Sequence, residues 1–194
     1  PRVAFAPQGG DLLRECAECR HHHLEGLFLN LFLGQCIDSL LCQTKLPGEI
    51  VLVKDGPLTE LLNDVIDEYL KITSIIKVVE LSANQGLGNA LNAGMRFCTF
   101  SLIARMDTDD IAKSNRFERQ LDIFEKYSEI DVVGAWIDEF EGDVSHVIST
   151  RKLPEWHDEI VHFAKLRNPI NHPVVMFKKE AVLAAGAWPG SCAP

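Results

Sequence analysis

The sequence lacks an excess of basic residues, which bears on its partners. Of its 194 residues, 28 are acidic and 19 are basic, giving a formal net charge of −9. We therefore expect no nucleic-acid partner, because binding to a phosphate backbone draws on clustered Lys and Arg. An anionic substrate would instead need a local metal ion or a group of backbone amides.

Long apolar runs are missing as well. No stretch approaches the ~20 apolar residues of a transmembrane helix, and the longest, residues 24–34, includes Glu25 and Asn30. The sequence also shows no basic start followed by an apolar run and a cleavage site, so we see no signal peptide. We expect a cytoplasmic protein without a transmembrane segment, able to associate peripherally with a membrane.

Two chemical motifs are incomplete. Cys16 and Cys19 form a C-x-x-C motif followed by three histidines, but no second ligand pair follows at zinc-finger spacing. No serine lies in a G-x-S-x-G motif, which disfavours nucleophilic catalysis of the hydrolase type.

The overall composition, with 46% hydrophobic and 24% charged residues, is typical of a globular domain with a substantial core.

From Glu49 onward, short β-rich runs alternate with amphipathic helical ones. The pattern predicts helices at 58–71, 88–97, 114–127 and 155–166, and strands at 49–54, 75–81, 100–106, 131–137, 145–150 and 173–178. Crossovers of this length predict an α/β fold, with a mostly parallel sheet flanked by helices on both faces. Residues 1–34 show no clear periodic fit, so we treat 35–194 as the domain.

Polar residues follow three of the predicted strands, at the position where open α/β sheets bind ligands. Asp55 precedes a Gly-Pro turn, Asn84–Gly88 connects a strand to a helix, and Asp107–Asp110 ends a third strand. Because the carboxyl ends of parallel strands share one edge of the sheet, we expect these segments to lie on the same rim.

The segment Asp107–Asp110, called the acidic tetrad below, carries three carboxylates that repel one another. A divalent cation such as Mn²⁺ or Mg²⁺, a helix N-terminus or plain solvation can each offset that repulsion. An EF-hand is excluded, because Ile111 and Ala112 stand where a ligand and a glycine are required. Since the tetrad also precedes a predicted helix, the residues leave a metal site and a helix start both open.

The other rim residues are equally ambiguous. Asp55 can accept hydrogen bonds from a base or ribose, but Asp-Gly is also ordinary turn composition. Gly86 and Gly88 would let the backbone approach a diphosphate, although Leu91 stands where a dinucleotide motif needs glycine. His172, with a proline on either side, can shape a turn or contact substrate or metal.

In order and spacing, several segments together resemble glycosyltransferase family 2, of the GT-A fold, in bacterial polysaccharide enzymes. The resemblance runs from Leu33 to Gly186 and rests on these segments: Asp38–Thr44, Pro47–Leu58, Asn84–Gly94, Arg105–Asp110, Arg116-x-x-x-Gln120, Asn168–Pro173 and Ala185–Gly186.

The resemblance implies metal-assisted transfer of a sugar from a nucleotide sugar, commonly a UDP-sugar, to a hydroxyl of a glycan or lipid-linked acceptor, with inversion. It implies that Asp55 faces the uracil and that Asp107 and Asp109 form a D-x-D pair supported by Asp110. The implied metal ligands for Mn²⁺ or Mg²⁺ are these three tetrad aspartates. The residues it implies at the nucleotide-sugar site are Asp55, Asn84, Gly86, Asn92, Arg105, Asp107 and Asp109, with His172 as a substrate contact.

Two departures from the family pattern limit this expectation. The family opens with a strand that ends near a Tyr-Asn pair, for which only Val3–Pro7 can stand in, further upstream than expected. An acidic motif after Ala-Gly supplies the family's general base, and the sequence ends at Pro194 without one. We therefore expect no general base, and a fragment or a non-catalytic nucleotide-binding relative stays an alternative to an active enzyme. A nucleotidyltransferase is disfavoured by the missing basic, Gly-rich N-terminal loop.

Overall fold

The computed structural model describes residues 2–5 and 28–189, and only the backbone of residues 2–5 and 28–30. The C-x-x-C motif at Cys16 and Cys19 lies outside the described residues. The helices are α1 Phe28–Leu41, α2 Glu60–Ile72, α3 Leu87–Phe97, α4 Arg116–Lys126, α5 His157–Phe163 and α6 Lys179–Ala184. The strands are β1 Arg2–Phe5, β2 Ile50–Asp55, β3 Ile76–Leu81, β4 Leu102–Ala104, β5 Ile130–Gly134, β6 Ile137–Phe140, β7 Val147–Arg151 and β8 Met176–Lys178.

Helix α2 shows how local sequence sets these boundaries. Thr59 caps its start, with the side-chain oxygen accepting a hydrogen bond from the Leu62 amide at 3.4 Å. Val65, Ile66 and Tyr69 recur at helical spacing and are buried against α1. The same repeat that predicted the helix therefore supplies its packing face.

The strands form two sheets and a hairpin. Four strands lie in the order β1-β5-β8-β4, β2 and β3 form a parallel pair, and β6 and β7 form an antiparallel hairpin. The α/β fold class is confirmed, but β8 runs antiparallel to both β4 and β5. A short 3₁₀ turn at His172–Val174 leads into β8. Between β5 and β8 the chain passes through the β6–β7 hairpin, α5 and this turn.

Several predicted strands have different bounds in the structure, among them the one predicted at 173–178, of which only Met176–Lys178 forms β8. The strand predicted at 100–106 is only Leu102–Ala104, although the Arg105 amide still bonds to the Val175 carbonyl before the chain turns at Thr108 and Asp109. The run predicted at 131–137 divides between β5, which ends at Gly134, and β6. After the short β4, only Arg105 and Met106 separate the sheet from the acidic tetrad.

Strand β1 includes part of Val3–Pro7, the segment that we expected to stand in for the family's first strand. Residues 2–5 do form a strand, and it pairs in parallel with β5, at the opposite edge of the sheet from β4. Residues 6 and 7 lie outside the described part. Helix α1 begins at Phe28, so the boundary that we set at residue 34 falls inside a helix.

The core lies on both sides of α1. One cluster joins Leu40 to α4 and the four-stranded sheet, through Phe117, Phe124, Val133 and Met176. The other joins α1 to α2 and β3, through Leu33, Ile37, Val65, Ile66 and Ile76. Within the described ranges, no helix combines the length and apolar character needed to cross a membrane.

Glu49 ties three elements together just before β2. Its carboxylate accepts hydrogen bonds from the Thr99 amide at 2.6 Å, the Thr99 hydroxyl at 3.0 Å and the Lys77 ammonium at 2.5 Å. Desolvation raises the pKa of Glu49, but the hydrogen bonds from Lys77 and Thr99 outweigh it and lower the pKa to about 2. The ionised form therefore stabilises the fold.

We expect Glu49→Gln to reduce the free energy of unfolding by about 1–3 kcal/mol at neutral pH, because charge-assisted hydrogen bonds are lost. The folded pKa lies below the ordinary value of 4.5, so this contribution is present above pH 4.5 and disappears as the pH falls toward 2. Urea unfolding of both proteins at pH 7, 4.5 and 3 measures it. A pH-independent difference would contradict the assignment, and Glu125→Gln, at an exposed site, is the control.

Candidate functional site

A buried arginine orients the first aspartate of the acidic tetrad. Arg105 directly follows β4, and its guanidinium is only 6% exposed. Its two terminal nitrogens donate to the two carboxylate oxygens of Asp107, at 2.5 and 3.3 Å. This bidentate pair fixes the direction of the carboxylate. The Asp107 side chain nevertheless stays 40% exposed, so a ligand can still reach it.

The other two tetrad aspartates sit on a turn beside this pair. The Asp110 amide bonds to the Asp107 carbonyl at 3.3 Å, while Asp109 is exposed and Asp110 half-buried. Desolvation raises the pKa of Asp110, and the charges of Asp107 and Asp109 raise it further, against the opposing effect of Arg105 and Arg116. The turn therefore carries more negative charge than its two arginines offset.

Helix α4 supports the tetrad through hydrogen bonds of Arg116 and Gln120. The buried Arg116 donates to the Arg105 carbonyl at 2.7 Å and to the Gln120 side-chain oxygen at 3.1 Å. Gln120, 1% exposed, donates in turn to the carbonyls of Val174 at 2.8 Å and Val133 at 3.3 Å. Desolvation lowers the pKa of Arg116 to about 10, so it remains a cation at neutral pH. These bonds join α4, β5 and the turn before β8 to the start of the tetrad.

Helix α1 and the residues directly after it hold the segment that follows the tetrad. The Ser39 hydroxyl accepts a hydrogen bond from the Ala112 amide at 3.0 Å. Gln43 donates to the Lys113 carbonyl at 2.8 Å and accepts from the Phe117 amide at 3.1 Å. We assigned these two residues no role from the sequence. Both residues lie in the segment Asp38–Thr44 that carries the family resemblance, but nothing in the local pattern indicated the tetrad as their partner.

Asp55, at the end of β2, organises the loop before α3. One carboxylate oxygen accepts from the Gln85 amide at 2.7 Å and the other from the Gly86 amide at 3.0 Å. Gly86 has a φ of +83°, which favours glycine, and it gives α3 no side-chain cap. The Asn84 side chain also accepts from the Gly86 amide, at 3.1 Å. These hydrogen bonds thus fix the relative positions of Asp55, Asn84 and Gly86, three of the predicted site residues.

Asn92 holds the segment after α6 against α3. Its side chain donates to the Trp188 carbonyl at 2.7 Å and accepts from the Trp188 amide at 3.1 Å. Gly88 permits this approach, because a Cβ there would lie 2.4 Å from the Pro189 carbonyl oxygen. The structure therefore gives Asn92 a packing role, and its place at a nucleotide-sugar site stays a prediction.

His172 lies between these two groups of residues. Its ring centroid is 6.5 Å from that of Trp188. Desolvation and the charge of Arg105 lower the pKa of His172, while the charge of Asp107 opposes them. The half-buried imidazole is thus neutral at pH 7 and lies within the electrostatic reach of the tetrad. Trp188, held by Asn92, connects this histidine to the α3 side of the site.

The donor set can be compared with the needs of a metal ion. In the ranges 2–5 and 28–189, no three His, Cys, Asp or Glu side chains are arranged to hold a metal by themselves. Mg²⁺-type sites that include a substrate diphosphate need only one or two carboxylates from the protein. The exposed Asp109 and the half-buried Asp110 meet that requirement. The residues therefore fit a cation that shares its ligands with a diphosphate.

Comparison with known proteins adds a family match. The family model described as Glycosyl transferase family 2 matches residues 30–183. The amylovoran biosynthesis glycosyltransferase AmsE of Erwinia amylovora is 41% identical over 156 residues, 80% of this chain and 58% of that protein. The UDP-Gal:alpha-D-GlcNAc-diphosphoundecaprenol beta-1,3-galactosyltransferase of Escherichia coli is 37% identical, over 81% of this chain and 57% of that protein. The chain thus spans somewhat under three-fifths of these relatives.

Solved structures show the same fold. A mannosyltransferase from Pyrobaculum calidifontis, in complex with GDP-Man and Mn²⁺, superposes with a TM-score of 0.58. It is 15% identical in sequence, and the alignment covers 82% of this chain and 44% of the mannosyltransferase. At that identity the likeness confirms the GT-A fold and no more.

We expect Gln120→Ala to lower the free energy of unfolding by about 2–4 kcal/mol, because Arg116 and two carbonyls lose their partner and a cavity forms. Urea denaturation measures the change. Glu125→Ala, on the exposed face of the same helix, is the control and should stay within ~0.5 kcal/mol. Equal effects of the two substitutions would show that the buried network does not stabilise the site.

Proposed function

The chain belongs to glycosyl transferase family 2, and on this premise we propose that it forms the donor-binding part of a glycosyltransferase of bacterial polysaccharide synthesis. The donor that we propose is a nucleotide sugar, with UDP as the nucleotide. The UDP-Gal in the name of the Escherichia coli relative supports that choice. Its diphosphoundecaprenol-linked acceptor likewise supports a glycan or lipid-linked acceptor for this chain.

The observation that carries the proposal is the buried Arg105 beneath the half-exposed Asp107. Burial of a guanidinium is costly, and a fold retains it where it is paired and positioned. Here the pair holds a carboxylate at the end of β4, next to Asp109 and Asp110. A helix-start role would not require such a bidentate contact, since α4 begins only at Arg116, six residues after the tetrad ends.

Each of the site residues then has a defined task. Asp109 and Asp110 coordinate the cation through carboxylate oxygens. Asp107, whose side chain is partly exposed, faces the ribose. Arg105 acts through Asp107 rather than on the nucleotide, because its guanidinium is buried. Asp55 holds the loop of Asn84 and Gly86, so that backbone amides at the start of α3 face the diphosphate.

The reaction we propose is a displacement at the anomeric carbon of the donor. An acceptor hydroxyl forms the new bond to that carbon on the face opposite the diphosphate, the bond to the diphosphate oxygen breaks, and the configuration inverts. A divalent cation, Mn²⁺ or Mg²⁺, would neutralise charge that develops on the departing diphosphate. The Mn²⁺ bound by the Pyrobaculum calidifontis mannosyltransferase supports this choice. We assign no general base within the described residues.

We expect UDP to bind this chain more tightly with Mn²⁺ than without it, and Asp109→Asn to remove most of that gain. The carboxylate supplies a charged ligand that the amide does not. Isothermal titration calorimetry with UDP, in 1 mM MnCl₂ or in EDTA, measures both effects. Asp122→Asn, at an exposed position of α4, is the matched control. UDP binding that neither Mn²⁺ nor Asp109→Asn alters would contradict the metal role.

Transfer is tested separately from binding. Release of UDP from UDP-galactose and UDP-glucose, with and without an undecaprenyl-diphosphate-linked acceptor, reports turnover. Metal-dependent UDP binding without turnover would favour a non-catalytic nucleotide-binding role for this chain. Acceptor-dependent UDP release would establish transfer.

A further inference from the structure

The segment 186–189, which follows α6, has a constrained backbone conformation. Ala187 has a φ of +58°, and it is the only non-glycine residue with a positive φ among the residues that the structure describes. This left-handed conformation costs free energy for a residue with a Cβ, so surrounding contacts must hold it. Pro189 in turn restricts the backbone of Trp188 before it to extended conformations. The fold, rather than local preference, therefore sets the position of Trp188.

Asn92 on α3 supplies the contacts that hold this segment. Its side chain binds both backbone groups of one residue, donating to the Trp188 carbonyl at 2.7 Å and accepting from the Trp188 amide at 3.1 Å. Gly88, about one turn earlier on α3, leaves space for the Pro189 carbonyl, whose oxygen would lie 2.4 Å from a Cβ at that position. The backbone from which the indole of Trp188 extends is therefore fixed on α3.

The indole of Trp188 is anchored on one side and accessible on another. It packs edge to face on Phe177 of β8, with the ring centroids 5.5 Å apart and an angle of 65° between the planes. Phe177 is buried, whereas Trp188 remains partly exposed. The ring centroid of His172 lies 6.5 Å from that of Trp188. The core thus orients the indole without covering it.

Trp188 lies between the two parts of the diphosphate site proposed above. Asn92, its partner, is on α3, whose uncapped first amides we assign to the diphosphate. His172, its neighbour, begins the 3₁₀ turn before β8. That turn reaches the start of the tetrad, because the Arg105 amide bonds to the Val175 carbonyl at 2.8 Å. The donor sugar is bonded directly to the diphosphate, so the indole is within reach of its ring.

We propose that Trp188 contacts the sugar ring of the nucleotide-sugar donor and that Asn92 is the residue that positions it. The inference rests on the proposed function and names the class of sugar, a pyranose whose C–H groups gather on one face, such as galactose or glucose. These C–H groups carry partial positive charge and are attracted to the electron-rich face of the indole. Asn92 acts through Trp188 and not on the nucleotide.

Calorimetry with UDP, UDP-galactose and UDP-glucose, with MnCl₂ present, separates the sugar from the nucleotide. We expect Trp188→Leu to weaken the binding of at least one UDP-sugar by about three- to tenfold, the usual contribution of one aromatic contact, with UDP affinity unchanged. Trp188→Phe, which retains a ring, should keep most of the UDP-sugar affinity. Trp156→Leu, at a tryptophan that is 58% exposed, is the matched control and should change neither affinity.

Asn92→Ala distinguishes a positioning role from a nucleotide contact. We expect the same selective loss of UDP-sugar affinity as with Trp188→Leu, and no further loss when the two substitutions are combined, because both remove one contact. UDP affinity should not change. A loss of UDP affinity with Asn92→Ala would overturn the positioning role, since the amide would then act on the nucleotide itself.

Tryptophan emission tests the contact in the unchanged chain. Either UDP-galactose or UDP-glucose should shift the emission beyond the shift caused by UDP, and Trp188→Phe should remove that difference. If Trp188→Leu fails to fold, this measurement decides alone.

Several results would overturn the inference while leaving the proposed function in place. They are UDP-sugar affinities that Trp188→Leu leaves unchanged, the absence of a sugar-dependent emission shift, and a shift that persists in Trp188→Phe and so arises from Trp136 or Trp156. If the unchanged chain binds neither UDP nor a UDP-sugar, the proposed function fails and this inference fails with it.

Discussion

The site depends on the balance of charge between the acidic tetrad and the guanidinium groups of Arg105 and Arg116. Three carboxylates within four residues repel one another, and Arg105 and Arg116 offset only part of that repulsion. Both arginines are buried, so they stabilise the fold only while their partners stay in place. The remaining negative charge favours a cation at Asp109 and Asp110. The same interaction thus supports the local fold and the metal–diphosphate site that we propose there.

Most predicted site residues contact the protein itself. Asp55 binds two loop amides, Asn92 binds the backbone of Trp188, and Arg105 binds Asp107. These contacts fix the backbone around a smaller set of groups that remain open to a ligand. Asp109 and the uncapped amides at the start of α3 belong to that set. The interpretation that best fits the structure is a preorganised rim with few direct ligand contacts.

The sequence predicted helices α2 to α5 and the neighbouring strands β2 and β3 well, because apolar residues at regular spacing also form the core, but it missed α1, which begins at Phe28 inside the segment left unassigned. Val65, Ile66 and Tyr69 are an example. It did not predict the antiparallel direction of β8, since direction depends on how the chain enters the strand and leaves no periodic signal. The supports from Ser39 and Gln43 were missed for a similar reason. Their partners are 70 or more residues away, and only the packing of α1 beside the tetrad brings them together.

We propose above that the acidic tetrad holds a divalent cation together with the diphosphate of a nucleotide. Anomalous diffraction from a crystal soaked with UDP and Mn²⁺ locates that cation. We expect a manganese peak within coordination distance of an Asp109 carboxylate oxygen and of a diphosphate oxygen, with Arg105 still paired to Asp107. Well-defined UDP density with no manganese peak at the tetrad, or with manganese bound elsewhere, would contradict it.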